Sequence, residues 1–270
     1  MEERTKLIKV EALGAGVSLL TLNNPPLNIN SIEMTRQLAE ALGALDADPA
    51  TRVVVVTGAG TRAFCAGSDV KEFPAISDDF VGKKLRRENE VFDMVEELSQ
   101  PVIAAIEGVA LGGGCELAMA CDIRIMAASA RIGLPEVNLG VFGGSGGLFR
   151  TPALVGASRA KELMFLGELI PADEAERIGL VSHVVPDGEA VPRAVAMAER
   201  IAAKPFEAIK AIKLGVRQCT GVSRADALKI NFQLTDHVFR SDDCREAVSA
   251  FLEKRAQRSS DRSKSESSND

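Results

Sequence analysis

The chain has 270 residues, 46% of them hydrophobic and 26% charged, with a formal net charge of −6. That length can bury a substantial core, and the composition is that of an ordinary globular protein. An acidic balance without a basic stripe argues against nucleic-acid binding. Five cysteines, Cys65, Cys115, Cys121, Cys219 and Cys244, form no CxxC pair, which points to free thiols in a reducing compartment. His183 and His237 stand far from any cysteine cluster, so no metal site is expected. The opening "MEERTKLIKV" has no apolar signal core, and no apolar run approaches ~18 residues. The expectation is a cytoplasmic protein that binds neither membrane nor nucleic acid.

In chain order, Leu7–Val10 and Val17–Leu22 flank "ALGAG" and read as a hairpin. "NNPPLNIN" is a breaker-rich loop, and from Ser31 the spacing of Ile32, Leu38, Leu42 and Leu45 predicts an amphipathic helix. "RVVVVT" (Arg52–Thr57) is a continuous β-branched run, as expected of a strand buried on both faces. Between Asp78 and Gln100 a charged stretch carries Val91, Phe92, Val95 and Leu98, a helix with one apolar face. "PVIAAIEG" reads as a buried strand, "ALGGGCELAMAC" as a glycine turn opening a helix, and "DIRIMAA" as a further strand. The alternation predicts an α/β fold with parallel pairing. After Gly140 comes the glycine-rich loop "GVFGGSGG", then mostly helical patterns with one short strand near Leu180–Val185. Helices are expected over 187–203, 206–219, 224–239 and 242–255, ahead of a polar, low-complexity tail.

One motif misleads. Gly58-x-Gly60-x-x-Ala63 follows a strand and resembles a dinucleotide fingerprint. That fingerprint must open a helix whose N-terminus holds the pyrophosphate. Here "FCAGSDV" follows with another glycine and no helical stripe, so a turn is the better reading.

Two other glycine turns carry chemistry: "AFCAGSDV" (Ala63–Val70) and "LGGGCE" (Leu111–Glu116). Glycine lets backbone, rather than side chain, approach a ligand. If neighbouring parallel strands carry both turns, one N–H from each can meet at a single spot, an oxyanion hole. Glu116 then sits in the first turn of the following helix, and "GLPEVNLG" supplies a second acid, Glu136, beside the glycine-rich loop. Two carboxylates near one carbonyl suit general acid–base chemistry. Each feature has a plainer reading: glycine also allows close packing, and a first-turn glutamate complements the helix dipole.

Together, "AFCAGSDVKEF", "PVIAAIEGVALGGGCELAMACDIRIMA", "IGLPEVNLGVFGGSGG" and "ELMFLGELIPADEAERIGLVSHVV" resemble the crotonase superfamily, the enoyl-CoA hydratase/isomerase family, over about Leu7 to Arg255. The resemblance implies a spiral of ββα units over residues 1–200, a helical C-terminal trimerisation region over 201–258 and a disordered tail over 259–270. It implies a homotrimer or homohexamer, an acyl-CoA thioester substrate drawn from fatty acid metabolism, and no separate cofactor, since CoA belongs to the substrate. By motif position the carbonyl donors are the amides of Ser68 and Gly113, and the acids of a hydratase are Glu116 and Glu136. Substrate-binding positions implied are Ala66, Gly67, Asp69, Val70, Lys71, Gly112 and Gly144, with Phe251 and Lys254 toward CoA. The plainer reading of Phe251, Lys254 and Lys71 is a solvated surface.

The implied activity is a hydro-lyase, an enoyl-CoA hydratase. A carnitinyl-CoA-type dehydratase, an isomerase, a thioester hydrolase and a silent binding module remain alternatives. One departure bears on the acyl group: where many hydratases carry a "PGAGGTQR"-like loop, this chain reads "GGSGGLFR".

Overall fold

The computed structural model describes the backbone of residues 6–266, with side chains of 6–253 and of 255. Two compact units divide the chain, Met1–Ala202 and Ala203–Asp270.

The first unit is built on two sheets. One holds β1 (Ile8–Gly14), β2 (Val17–Leu22), β3 (Val53–Gly58), β5 (Val102–Ile106), β7 (Ile123–Ala127) and β10 (His183–Val185), in the order β1-β2-β3-β5-β7-β10. Only the β1–β2 hairpin is antiparallel; the other pairs run parallel. The second sheet holds β4 (Ala63–Cys65), β6 (Val109–Leu111), β8 (Arg131–Gly133) and β9 (Ile170–Pro171), in that order. The chain therefore visits a long strand, then a short one, then a helix, and repeats.

The helices of this unit are α1 (Ile32–Ala47), α2 (Phe73–Ile76), α3 (Arg86–Glu97), α4 (Gly113–Ala120), α5 (Gly147–Val155), α6 (Ala157–Leu166), α7 (Ala172–Arg177) and α8 (Ala190–Ala202). Ser31 caps α1 by accepting the Met34 N–H at 3.1 Å, as the sequence predicts. Strands β3 and β5 are buried throughout. One of their faces meets the Ala190, Ala194, Ala198 and Ala202 stripe of α8, and small side chains let that helix lie close. The other face joins the main core with Leu38, Leu42, Phe64, Phe92 and Leu117.

Three short strands had no counterpart in the sequence pattern. β4, β6 and β8 have three residues each, too few to show a period. "VVVVTGAGTRA" leads from β3 into β4 rather than into a helix, so the dinucleotide reading fails for the reason given.

In the second unit, α9 (Phe206–Cys219), α10 (Arg224–Phe239) and α11 (Asp242–Glu266) pack as helices. Asp243 Oδ2 accepts the N–H groups of Phe206 and Glu207 at 2.6 and 3.2 Å and so caps α9. α11 runs to Glu266, past both the Arg255 end and the start of the expected disordered tail at 259. Among the described residues no helix is long and apolar enough to cross a membrane.

Candidate active site

β4 and β6 are parallel neighbours, with Ala63 opposite Val109 and Cys65 opposite Ala110. The two glycine turns leave the same ends of these strands side by side. After β4, Asn30 N–H donates to Gly67 O at 2.8 Å and Asp69 N–H donates to Asn30 O at 3.1 Å. Those two bonds face Asn30, so the Ser68 amide between them is directed to the opposite side of the chain. That side holds Gly113: a methyl group on it would lie 3.7 Å from Ser68 N and 3.4 Å from Ser68 Oγ. Gly113 opens α4, where the first N–H groups have no intrahelical acceptor.

The run Gly112–Gly114 has a steric cause. Gly112 adopts φ +53°, and a Cβ there would meet Glu136 Oε1 at 3.2 Å. A Cβ on Gly114 would come within 2.1 Å of Cys65 O, so any side chain would force the two turns apart.

Glu116 is buried, and its Oε1 accepts the Gly147 N–H at 2.8 Å. Burial pushes its pKa up to about 8, and the charges of Glu136 and Glu88 push the same way against that hydrogen bond. Glu136 follows β8 in a short 3₁₀ turn, Pro135–Leu139. Burial raises its pKa too, and both of its carboxyl oxygens are buried with no hydrogen-bond partner among the described residues. Buried polar atoms are normally paired, so a buried acid without a partner points to a ligand. Gly143 shows where: a methyl group there would sit 2.9 Å from Glu116 Oε1 and 3.2 Å from Glu136 Oε1. The two carboxylates thus converge on the Gly143 position, with Glu136 also against Gly112 at the start of α4.

The family model described as enoyl-CoA hydratase/isomerase matches residues 12–262. The chain belongs to the enoyl-CoA hydratase/isomerase family. It is 39% identical to the short-chain-enoyl-CoA hydratase of Clostridium acetobutylicum over 241 residues, 88% of this chain and 92% of that protein. A crystal structure of enoyl-CoA hydratase from Bacillus anthracis superposes with a TM-score of 0.89 at 39% identity, covering 92% of this chain and 97% of that one. The Pseudomonas aeruginosa protein DspI superposes with a TM-score of 0.87 at 35% identity, over 93% and 96% of the two chains. As a member of the enoyl-CoA hydratase/isomerase family, this protein is an enzyme.

The other expected positions fall as follows. Ala66 N–H is tied to Leu27 O at 3.0 Å, and Gly67 has φ +89° with its Cα side against Leu111 O. Asp69 Oδ1 accepts the Lys71 N–H at 3.0 Å and starts a 3₁₀ turn, a structural task. Val70 and Lys71 are exposed at the rim. Gly144 packs on Leu85 and its carbonyl accepts from Asn89 Nδ2 at 3.0 Å. Phe251 is an exposed residue of the second unit, and the side chain of Lys254 lies outside the described residues. Burial pushes the Cys65 thiol up to about 12 and raises Cys115 as well, which makes both inert packing residues.

Sequence reasoning missed Glu88, Asn30, Lys84 and Ser145, all buried beside the donor turns. A signal existed: Lys84 and Glu88 extend the Phe92 and Val95 stripe of α3 at helical spacing. Charged residues on an apolar face call for an explanation.

Proposed function

We propose that the protein is a 2-enoyl-CoA hydratase that reversibly adds water across the 2,3 double bond of an enoyl thioester. The observation that carries this reading is the shared space at Gly143, faced by both Glu116 and Glu136 next to the Ser68 and Gly113 amides. An isomerisation that moves one proton needs one acid at that place; adding water across a double bond uses two. In this reading the thioester oxygen lies between the Ser68 and Gly113 N–H groups, which stabilise the negative charge that develops as water attacks; one such donor is worth roughly 2.7–4 kcal/mol of barrier. Glu116, steered by Gly147 N–H, holds water and takes its proton as the oxygen bonds to C3. Glu136 delivers a proton to C2. The reverse sequence dehydrates a 3-hydroxyacyl thioester.

Burial raises the pKa of both acids, and for Glu116, pushed up to about 8 with the Glu136 charge adding to the rise, this keeps a proton on the pair near neutral pH. The more deeply buried Glu116 favours that proton; hydration requires it on Glu136, across the space the two acids share. The exposed apolar residues Ile212, Val216, Phe232 and Phe239 on α9 and α10 support assembly into trimers or hexamers.

The test is incubation of the purified protein with crotonyl-CoA. Loss of the conjugated thioester absorbance with formation of 3-hydroxybutyryl-CoA supports hydration. Double-bond migration or release of free CoA instead would exclude it.

A further inference from the structure

Glu88 is a third buried acid beside the site, and the hydration mechanism gives it no task. It is 2% exposed. Its Oε1 accepts from Asn30 Nδ2 at 2.7 Å and from Ser68 Oγ at 3.1 Å, and its Oε2 accepts from Ser145 Oγ at 2.8 Å. One carboxylate therefore bridges the turn that carries the Ser68 amide and the loop that carries the Gly147 amide.

The same helix holds that loop at two more points. Asn89 Nδ2 donates to Gly144 O at 3.0 Å. Arg150, buried and ion-paired to Asp93 and Glu96 of α3, donates to Ser145 O at 2.9 Å.

A bare carboxylate would be harmful here. Glu88 Oε1 lies 3.9 Å from where a Cβ on Gly113 would stand, close to where negative charge would gather on the thioester oxygen. Lys84 answers this. Its side chain is 1% exposed, with Nζ 3.6 Å from Glu88 Oε1, 3.4 Å from Glu72 Oε2 and 3.2 Å from Asn30 O. A π-helical turn over Val81–Leu85 leads into α3, a distortion common near functional sites. Lys84 belongs to that turn and is the first member of the i, i+4 pair with Glu88.

We infer that Glu88, with Lys84 as its counter-ion, is a positioning residue that locks the Ser68 turn and the 143–147 loop in register, fixing the oxyanion donors relative to the water held by Glu116. This rests on the hydratase reading for its catalytic consequence and on the hydrogen bonds alone for its mechanical one. Misplacement of reacting groups by about 1 Å can cost about 100-fold in rate.

The test uses the double variant Lys84→Met/Glu88→Met in the full chain. Removing both charges leaves neither stranded, and such replacements are often neutral for folding. Amide hydrogen exchange without substrate should accelerate together in segments 64–70 and 141–149. With crotonyl-CoA, kcat should fall about 10- to 100-fold with KM changed less than about threefold. Wild-type exchange in either segment overturns the inference, as does unchanged kcat in a protein that hydrates crotonyl-CoA. A wild type that does not hydrate refutes the hydratase reading alone, because exchange still decides the coupling. Should the double variant fail to fold, Ser145→Ala decides instead. It deletes one hydroxyl and should free segment 141–149; exchange at the wild-type rate there overturns the inference.

Discussion

Gly143→Ala places a probe between the two acids. The new methyl group would stand 2.9 Å from Glu116 Oε1 and 3.2 Å from Glu136 Oε1, with Leu134 Cδ2 at 3.4 Å on its far side. The first distance is shorter than carbon and oxygen tolerate without a shift, so the methyl must move a carboxylate or take the space between them. Either outcome displaces the water that the proposed mechanism holds between the acids. Gly143 does not need a positive φ, so alanine fits the backbone, and the unfolded chain loses entropy worth about 0.4–1 kcal/mol in favour of folding. Strain against flexible carboxylate ends works the other way, leaving stability within about 1 kcal/mol of wild type. The rate should respond far more, with kcat for crotonyl-CoA hydration down by about 100-fold or more. Initial rates and thermal melts of this variant should be compared with those of Gly43→Ala, which lies inside α1 with nothing within 4 Å of its Cβ. The control should keep wild-type kcat and gain up to about 1 kcal/mol. Wild-type kcat in Gly143→Ala would show that the shared space is not where water reacts.

Other expectations follow from the same geometry. Glu116→Gln and Glu136→Gln should each lower kcat by about 100- to 10,000-fold, while calorimetric binding of a saturated acyl-CoA stays near wild type. Glu116→Gln should also melt higher than wild type at pH 8. The folded-state pKa is raised to about 8, so wild type loses stability as pH climbs from the ordinary carboxylate range to that value, at about 1.4 kcal/mol per unit; glutamine has no such loss, and the two melts should converge near pH 4. The wild-type pH–rate profile should fall on the alkaline side near pH 8, where the acid pair gives up its shared proton; a rate still rising through pH 9.5 would contradict that assignment. Lys84→Met alone strands the buried Glu88 charge and should cost about 3–5 kcal/mol in denaturant unfolding.

The centre of the long-strand sheet was readable because β3 and β5 are buried on both faces. "VVVVTG" and "VIAAI" leave no polar alternation, and that is the mark of a sheet covered by helices on both sides. α9 and α10 were readable at their observed bounds, Phe206–Cys219 and Arg224–Phe239, because their apolar spacing is helical. The second sheet was not. A three-residue strand such as Val109–Leu111 has no period, and its pairing partners lie 46 and 22 residues away along the chain. Yet those short strands set the two glycine turns side by side. The glycines at 67, 112 and 113 signalled backbone approach, and resemblance supplied which turns meet. Glu116 stood out by its place after a glycine turn, and Glu136 by its place after Pro135, beside the glycine-rich loop. Glu88 did not, since an acid in a charged helix reads as solvent-facing until the neighbouring Phe92 and Val95 stripe is followed back to it.

Hydration by the Glu116–Glu136 pair is tested most directly by the oxygen that enters the product. Crotonyl-CoA incubated with the wild-type protein in ¹⁸O-labelled water, and analysed by mass spectrometry, should give 3-hydroxybutyryl-CoA carrying a single label at C3. Glu116→Gln and Glu136→Gln, at equal protein concentration, should form it no faster than the rates predicted above. Unlabelled isomer, labelled free acid, or full labelling rates in either variant would contradict it.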